Sequence, residues 1–334
     1  MSPRSFFPTE ASIICNQALN ATLCSNYCFG DNVISCHLFR RGMHDTYVVR
    51  DDVKKYYLKI YYHGLRTMEE IESEVVIVKH LKKDGINVGE PVMMNNGSYI
   101  FELNAIEGNR FCVLYNEVLG NEGITGDLMT ETLGSFIASM HNSFDKIITP
   151  LNRWHLDSST FIDTSMSNLM KYSSIYSFDY TFLHEISNEI KQRIDNSFKK
   201  CLPTYGLCHG DIYSANVRFD SHLNPAIFDF DLCGYGWRAY DISLFLSAFG
   251  SGVDAKAMEE RERRKEVFLN GYLRTRGLSD LEINSIYLFA PFRRIFNIGS
   301  LYARFAESWG HDIFVHNVND EISMLKDWVK VYKI

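Results

Sequence analysis

The chain has 334 residues, of which 46% are hydrophobic and 22% charged, and a formal net charge of −7. This length suits two lobes of unequal size, the composition excludes disorder and low complexity, and the acidic balance argues against a nucleic-acid partner. No apolar run is long enough to cross a membrane, and Pro3, Arg4, Pro8 and Glu10 stand where a signal peptide needs its apolar core, so a cytoplasmic protein with no membrane partner is expected.

Eight cysteines are scattered along the chain, and Cys24 and Cys28, with Cys36 and His37 nearby, lack the second tight pair of a zinc site. They read as free thiols. From Val33 the pattern is strand-like: β-branched and aromatic runs at 33–39, 46–49 and 56–60 alternate with polar, turn-capable breaks, which predicts an antiparallel meander. Ile71, Val75, Val78 and Leu81 fall at helical spacing and predict a helix over 68–83. Short strands are expected at 91–94, 99–103 and 110–115, with Asn95-Asn96-Gly97 as a turn. Beyond about residue 117 the pattern becomes helical, over 128–143, 181–200, 258–276, 283–308 (interrupted at Pro291) and 320–331. No internal repeat is visible. The expected fold class is α+β and bilobal: residues 1–115 as a small lobe of antiparallel sheet plus one helix, 116–334 as a larger, mostly helical lobe.

One segment breaks the helical pattern: His209-Gly210-Asp211 through Asn216 to Phe219, then Ala226 to Asp231, with 220–224 as the turn of a hairpin. Phosphoryl transfer needs few groups, because catalysis there is mostly positioning and charge neutralisation. One carboxylate orients the acceptor hydroxyl, and an amide with another carboxylate holds a divalent cation on the phosphates. Asp211 and Asn216 have the Asp-to-Asn spacing of a kinase catalytic loop, and Asp229, after the hairpin, stands where a kinase places its metal-binding Asp. Oxygen ligands of this kind suit Mg²⁺.

Together with Tyr240-Asp241-Ile242, these residues resemble the aminoglycoside phosphotransferase and choline kinase superfamily, whose signature is H-G-D-x-x-x-x-N, a following I-D-[FWL]-[DE] strand and a later Y-D-[IL]. Gly210 stands where protein kinases carry Arg. The run Gly234-Tyr235-Gly236-Trp237-Arg238-Ala239-Tyr240-Asp241 looks closer to homoserine-kinase-like and stress-response-kinase-like members. The resemblance implies a protein-kinase-like fold and an ATP- and Mg²⁺-dependent kinase acting on a small-molecule hydroxyl. It implies Asp211 as the catalytic base and Asn216 and Asp229 as metal ligands. His209 is implied as a packing residue that holds the loop. Asp231 is either a metal contact or an acceptor behind the ligands. Asp241 either caps its helix or supports the loop backbone. Lys59 is placed like the lysine on the nucleotide phosphates and Glu74 like its ion-pair partner. Gly42 lies in the phosphate-covering hairpin, and the purine is expected near Leu114 to Val118, which brings in Tyr115 and Val118. The helix 133–141 looks like the superfamily's small-and-apolar helix ending in His.

The acceptor is expected to meet the segment 289–312, where Arg293, Arg294, Arg304 and Trp309 are interleaved with other aromatic residues. Such a pocket suits a carboxylate, a phosphate or an apolar surface, and an amino-alcohol or amino-acid-type acceptor is the leading expectation. An aminoglycoside or other antibiotic, a protein hydroxyl, and a nucleotide-binding pseudokinase scaffold are the alternatives. No feature sets an oligomeric state.

Overall fold

Three consecutive β-rich runs begin the first sheet. In the computed structural model, which describes residues 9–29, 34–247, 254–303 and 311–334, they form β1 (Ser35–Arg41), β2 (His44–Arg50) and β3 (Lys55–Tyr61). β4 (Ile100–Ala105) and β5 (Gly108–Asn116) complete an antiparallel sheet in the order β1-β2-β3-β5-β4. Period-two alternation turns Leu58 and Ile60 to one face of β3, and Lys59 and Tyr61 to the other. A helix that the periodicity did not announce, α1 (Asn16–Asn26), covers the first face, its Leu19 and Leu23 joining Tyr47, Leu58, Cys112 and Leu114 in one core. α2 (Met68–Lys83) is the expected helix, and Ile71 and Val75 pack with Tyr61 and Val113 on the opposite face.

The strand expected over 91–94 is reduced to an isolated bridge between Pro91 and Tyr115. Val92 N–H still donates to Leu114 O at 2.7 Å, but Pro91 has no N–H to continue a ladder. Met1–Lys82 with Val88–Val118 form one unit, and Lys83–Asn87 with Leu119–Ile334 form the other.

The second unit is mostly helical. Among the described residues its α-helices are α3 (Gly126–Phe144), α4 (Thr164–Tyr172), α5 (Tyr180–Ser197), α6 (Arg238–Ser247), α7 (Ala255–Leu273), α8 (Asp280–Asn284), α9 (Phe289–Phe296) and α10 (His311–Tyr332). α3 and α7 meet at backbone distance: a Cβ on Gly134 would overlap the Phe268 carbonyl, and one on Gly271 that of Glu131. The helix expected over 283–308, with an interruption at Pro291, is over its described residues, 283–303, several pieces, and 304–308 lie outside the described residues. Ser279 and Glu282 form a capping box that starts α8. Pro291 sits in the first turn of α9, where its missing N–H costs no helical bond, so it helps to begin a helix where an interruption was expected. A π-helical stretch, Asn297–Tyr302, follows.

Two small sheets carry the segment that broke the helical pattern. β6 (Asn121–Glu122) pairs with the hairpin β9 (Val217–Phe219) and β10 (Pro225–Ile227). β11 (Gly234–Trp237) lies between β7 (His155–Leu156), parallel to it, and β8 (Tyr205–Cys208), antiparallel. The chain therefore leaves β8, forms a loop, makes the β9–β10 hairpin, forms a second loop, and returns through β11 into α6.

α1 matters to the first unit only if its two leucines are core residues. Leu23→Ala is therefore expected to lower stability by about 2–5 kcal/mol, measured by urea unfolding. A loss comparable to that of an exposed leucine would show that α1 does not close the sheet.

Candidate active site

His209-Gly210-Asp211 leaves the end of β8 through a bend only glycine fits. Gly210 has φ +82°, and a Cβ there would overlap the carbonyl of Leu232 in the second loop. This is the steric reason for glycine at 210. Asp241 holds the bend. It lies within the first turn of α6, which begins at Arg238, so it is not an N-cap. Its Oδ2 accepts from His209 N–H at 2.7 Å and its Oδ1 from Gly210 N–H at 2.8 Å.

Asp241 is fully buried, which penalises its charge. Hydrogen bonds from His141 and from the loop amide outweigh that penalty and hold its pKa below the usual carboxylate value. His141 Nε2 donates to Asp241 Oδ2 at 3.1 Å while its Nδ1 accepts from Tyr272 OH at 2.7 Å. Burial first, then Arg238, lowers the His141 pKa to about 4, so the ring is neutral and this tautomer satisfies both partners. His209 is also buried, its pKa lowered by desolvation. Its Nε2 donates to Phe228 O at 3.1 Å and its Nδ1 accepts from Asp211 N–H at 3.2 Å, which ties the first loop to the second.

Asp211 and Asn216 are brought together. Asn216 Nδ2 donates both to Asp211 O and to Asp211 Oδ2, each at 3.0 Å, so its carbonyl Oδ1 turns the other way. Asp211 Oδ1 accepts from Arg293 Nη2 at 2.9 Å. Burial raises the Asp211 pKa; Arg293 opposes this and the charge of Asp229 adds to it. Asp229 has φ +66°, a left-handed conformation uncommon for a side-chain-bearing residue, at the end of the β10 strand's exit. Asp231 is buried, and Arg153 holds the second loop by donating to the carbonyls of Phe230, Asp231 and Cys233.

The donor set is that of a hard divalent cation: an amide oxygen and carboxylates, with mutual repulsion between Asp211 and Asp229 for a cation to relieve. No group of three or more His, Cys, Asp or Glu among the described residues makes a self-contained metal cage. Such a set fits Mg²⁺, which takes one or two protein carboxylates and fills its remaining positions with water and phosphate oxygens.

In the first unit, Lys59 Nζ meets Glu74 Oε1 at 3.1 Å with both side chains buried. Glu74 also accepts from Tyr61 OH at Oε2 and from Tyr115 OH at Oε1, each at 3.0 Å. Tyr115 is thus tied to the Lys59–Glu74 pair, and Val118, the last residue of the unit, is half-buried. Gly42 lies in the β1–β2 hairpin, where Gly42 N–H donates to His44 O at 3.1 Å. Nothing lies within 4 Å of a Cβ placed there. The hairpin is pinned from below by buried Asp45, which accepts from Arg41, Tyr62 and Arg110.

Both arginines of α9 are engaged: Arg293 with Asp211, and Arg294 Nη1 with Glu321 Oε2 at 2.5 Å. Trp309 lies outside the described residues. Arg153 and Tyr272, and the pairing of Arg293 with Asp211, are not found from sequence. Each of these links joins residues far apart along the chain, and no spacing marks it.

The model of the Phosphotransferase enzyme family matches residues 35–278. Amicoumacin kinase of Bacillus subtilis (strain 168) is 27% identical over 211 residues, 60% of this chain and 59% of that protein. Two solved structures share the fold with a TM-score of 0.72. One is the amicoumacin kinase hAmiN in complex with AMP-PNP, Ca²⁺ and Ami (19% identity, 95% of this chain and 92% of that one). The other is a microcompartment-associated aminopropanol kinase (21% identity, 95% and 97%).

The buried His141 links the loop to pH. Its folded-state pKa, about 4, is below the ordinary 6.5, so as pH falls the unfolded chain takes the proton first. The stability it carries is fully present above about pH 6.5 and is lost toward pH 4, by up to about 3 kcal/mol. Urea unfolding from pH 7.5 to 4 should show a steeper loss for the wild type than for His141→Gln. Parallel curves would mean that His141 is not buried neutral.

Proposed function

The chain belongs to the phosphotransferase enzyme family, and from that premise we propose that it moves the γ-phosphoryl group of MgATP to the hydroxyl of a small amino alcohol. The observation that carries the reaction type is the Asp211–Asn216 clasp: the carboxylate is held in place by the amide nitrogen, and the amide oxygen is left for a cation. Asp211 orients the acceptor hydroxyl and takes its proton as the acceptor oxygen bonds to the γ-phosphorus and the bond to the β-phosphate oxygen breaks. ADP and the phosphate ester leave. Its raised pKa, with burial as the main cause, suits a group that must accept that proton. Asn216 Oδ1 and Asp229 would hold Mg²⁺, whose chemistry when bound is to neutralise the triphosphate oxygens. Lys59, fixed by Glu74, supplies the cation for the α- and β-phosphates, and Tyr115 keeps Glu74 in place. Nucleotide use is supported by the family and by the AMP-PNP complex of the amicoumacin kinase structure.

For the acceptor, charge is the guide. With Arg293 and Arg294 paired, the stretch 289–303 offers an anionic acceptor no unneutralised cation. Asp211 and Glu321 match the two arginines charge for charge, which disfavours an anionic acceptor and favours one without an acidic group, such as an amino alcohol. The aminopropanol kinase with the same fold supports this class. An amicoumacin-type acceptor is the second reading, favoured by the relative at 27% identity.

ADP release should be followed with a panel of amino alcohols, choline-like compounds, sugars and aminoglycosides. Turnover is expected with amino alcohols, and Asp211→Asn should lower kcat by about 10³-fold while MgATP still binds. Turnover confined to sugars would refute the acceptor class. An Asp211→Asn protein with the wild-type rate would refute the base.

A further inference from the structure

The resting bond between Asp211 and Arg293 is unexpected for an arginine placed to catch an acceptor. We infer that Arg293 is a positioning residue: its guanidinium fixes the Asp211 carboxylate in the orientation that receives the acceptor hydroxyl, and it does not itself bind the acceptor. The inference rests on the proposed role of Asp211 and goes beyond it by assigning what holds that group.

The geometry is a clamp with two jaws. Asn216 Nδ2 holds Asp211 Oδ2 at 3.0 Å and Arg293 Nη2 holds Oδ1 at 2.9 Å. The torsion that turns a carboxylate is broad and soft, so a donor on one oxygen alone leaves the other free to swing. A donor on each oxygen removes that freedom. Arg293 is itself held. Its Nη1 donates to Gly210 O at 3.1 Å and to Tyr240 OH at 3.2 Å, and Tyr240 OH donates to Gly210 O as well. Its guanidinium lies 5.4 Å from the centre of the Phe296 ring, and its side chain is only 13% exposed. One planar group therefore binds the backbone on one side of the bend and the carboxylate on the other. A lysine, with a single point charge, cannot reproduce this.

The opposite role is disfavoured by the same contacts. An acceptor anion would have to draw the guanidinium away from Asp211 and leave that carboxylate without its counter-charge. An acceptor hydroxyl needs no such exchange, since each carboxylate oxygen keeps a lone pair for it.

Arg293→Ala and Arg293→Lys should be assayed with the best acceptor of the panel. In each, kcat is expected to fall by about 10²-fold, with the KM values for MgATP and for acceptor changing by no more than about threefold. Millimolar guanidinium chloride should restore activity to Arg293→Ala and not to Arg293→Lys. Wild-type kcat with a raised acceptor KM would overturn the inference in favour of acceptor binding, and loss of kcat without rescue would overturn it in favour of a merely structural role. If Asp211→Asn keeps the wild-type rate, the function reading and this inference fall together. If Asp211→Asn is inactive and both Arg293 variants are fully active, this inference alone falls. Crystal structures of the two variants give a reading that needs no acceptor: the Asp211 carboxylate should leave its wild-type orientation, and an unmoved carboxylate overturns the inference.

Discussion

A single buried carboxylate holds the candidate site together. Asp241 has no solvent to stabilise its charge, and an isolated anion in that position would cost several kcal/mol. It is kept ionised by donors that the fold delivers: two consecutive loop amides, at His209 and Gly210, and the ring of His141. Because these amides belong to the bend itself, satisfying the charge and shaping the loop are one event. Helix α6 sets the position of Asp241, α3 presents His141, and Tyr272 of α7 completes the line. The helical packing of the second unit, down to the glycine contacts between α3 and α7, is thereby transmitted to the backbone of the loop.

From that bend the remaining groups follow in order. Gly210 can adopt its left-handed conformation against Leu232 only without a side chain, and the turn it makes carries Asp211 to the clasp with Asn216. His209 bonds to Phe228 O, so the loop bearing Asp211 and the loop bearing Asp229 are set relative to each other. Arg153 fixes the far end of the second loop by three backbone carbonyls. The arrangement uses many buried polar groups, and Asp241, His141, His209, Asn216 and Arg153 each find partners, which is the condition under which such networks rigidify a site instead of weakening it.

What was legible in the sequence follows the distance over which each signal acts. The loop is readable because its chemistry is packed into one contiguous stretch, where residue type and offset are the whole signal. Lys59 and Glu74 come from the family resemblance, and two periods agree with them: alternation puts Lys59 on the α2 face of β3, and helical spacing puts Glu74 on the side of Ile71 and Val75. Of the neighbouring glutamates on α2, Glu69 and Glu72 are exposed and Glu70 is half-buried. α1 was not readable, since only Leu19 and Leu23 are buried along it and two residues do not make a period. The strand at 91–94 looked convincing by composition and failed on one missing N–H at Pro91. Arg153 bonds residues nearly eighty positions away, and nothing in its neighbourhood in sequence marks it.

The pair Arg293-Arg294 shows how charges adjacent in sequence separate in the fold. Read along the chain, two adjacent arginines among aromatic residues look like one basic patch, fit for an anion. On a helix, neighbours point about 100° apart, and α9 sends the two guanidinium groups to different carboxylates: Arg293 to Asp211 and Arg294 to Glu321. Each is neutralised where it lands. Two positive residues therefore contribute almost no net positive field, because each is matched by a carboxylate. The loop motif carries the proposed reaction, and the direction in which α9 points its side chains decides that neither arginine is left as an open positive charge.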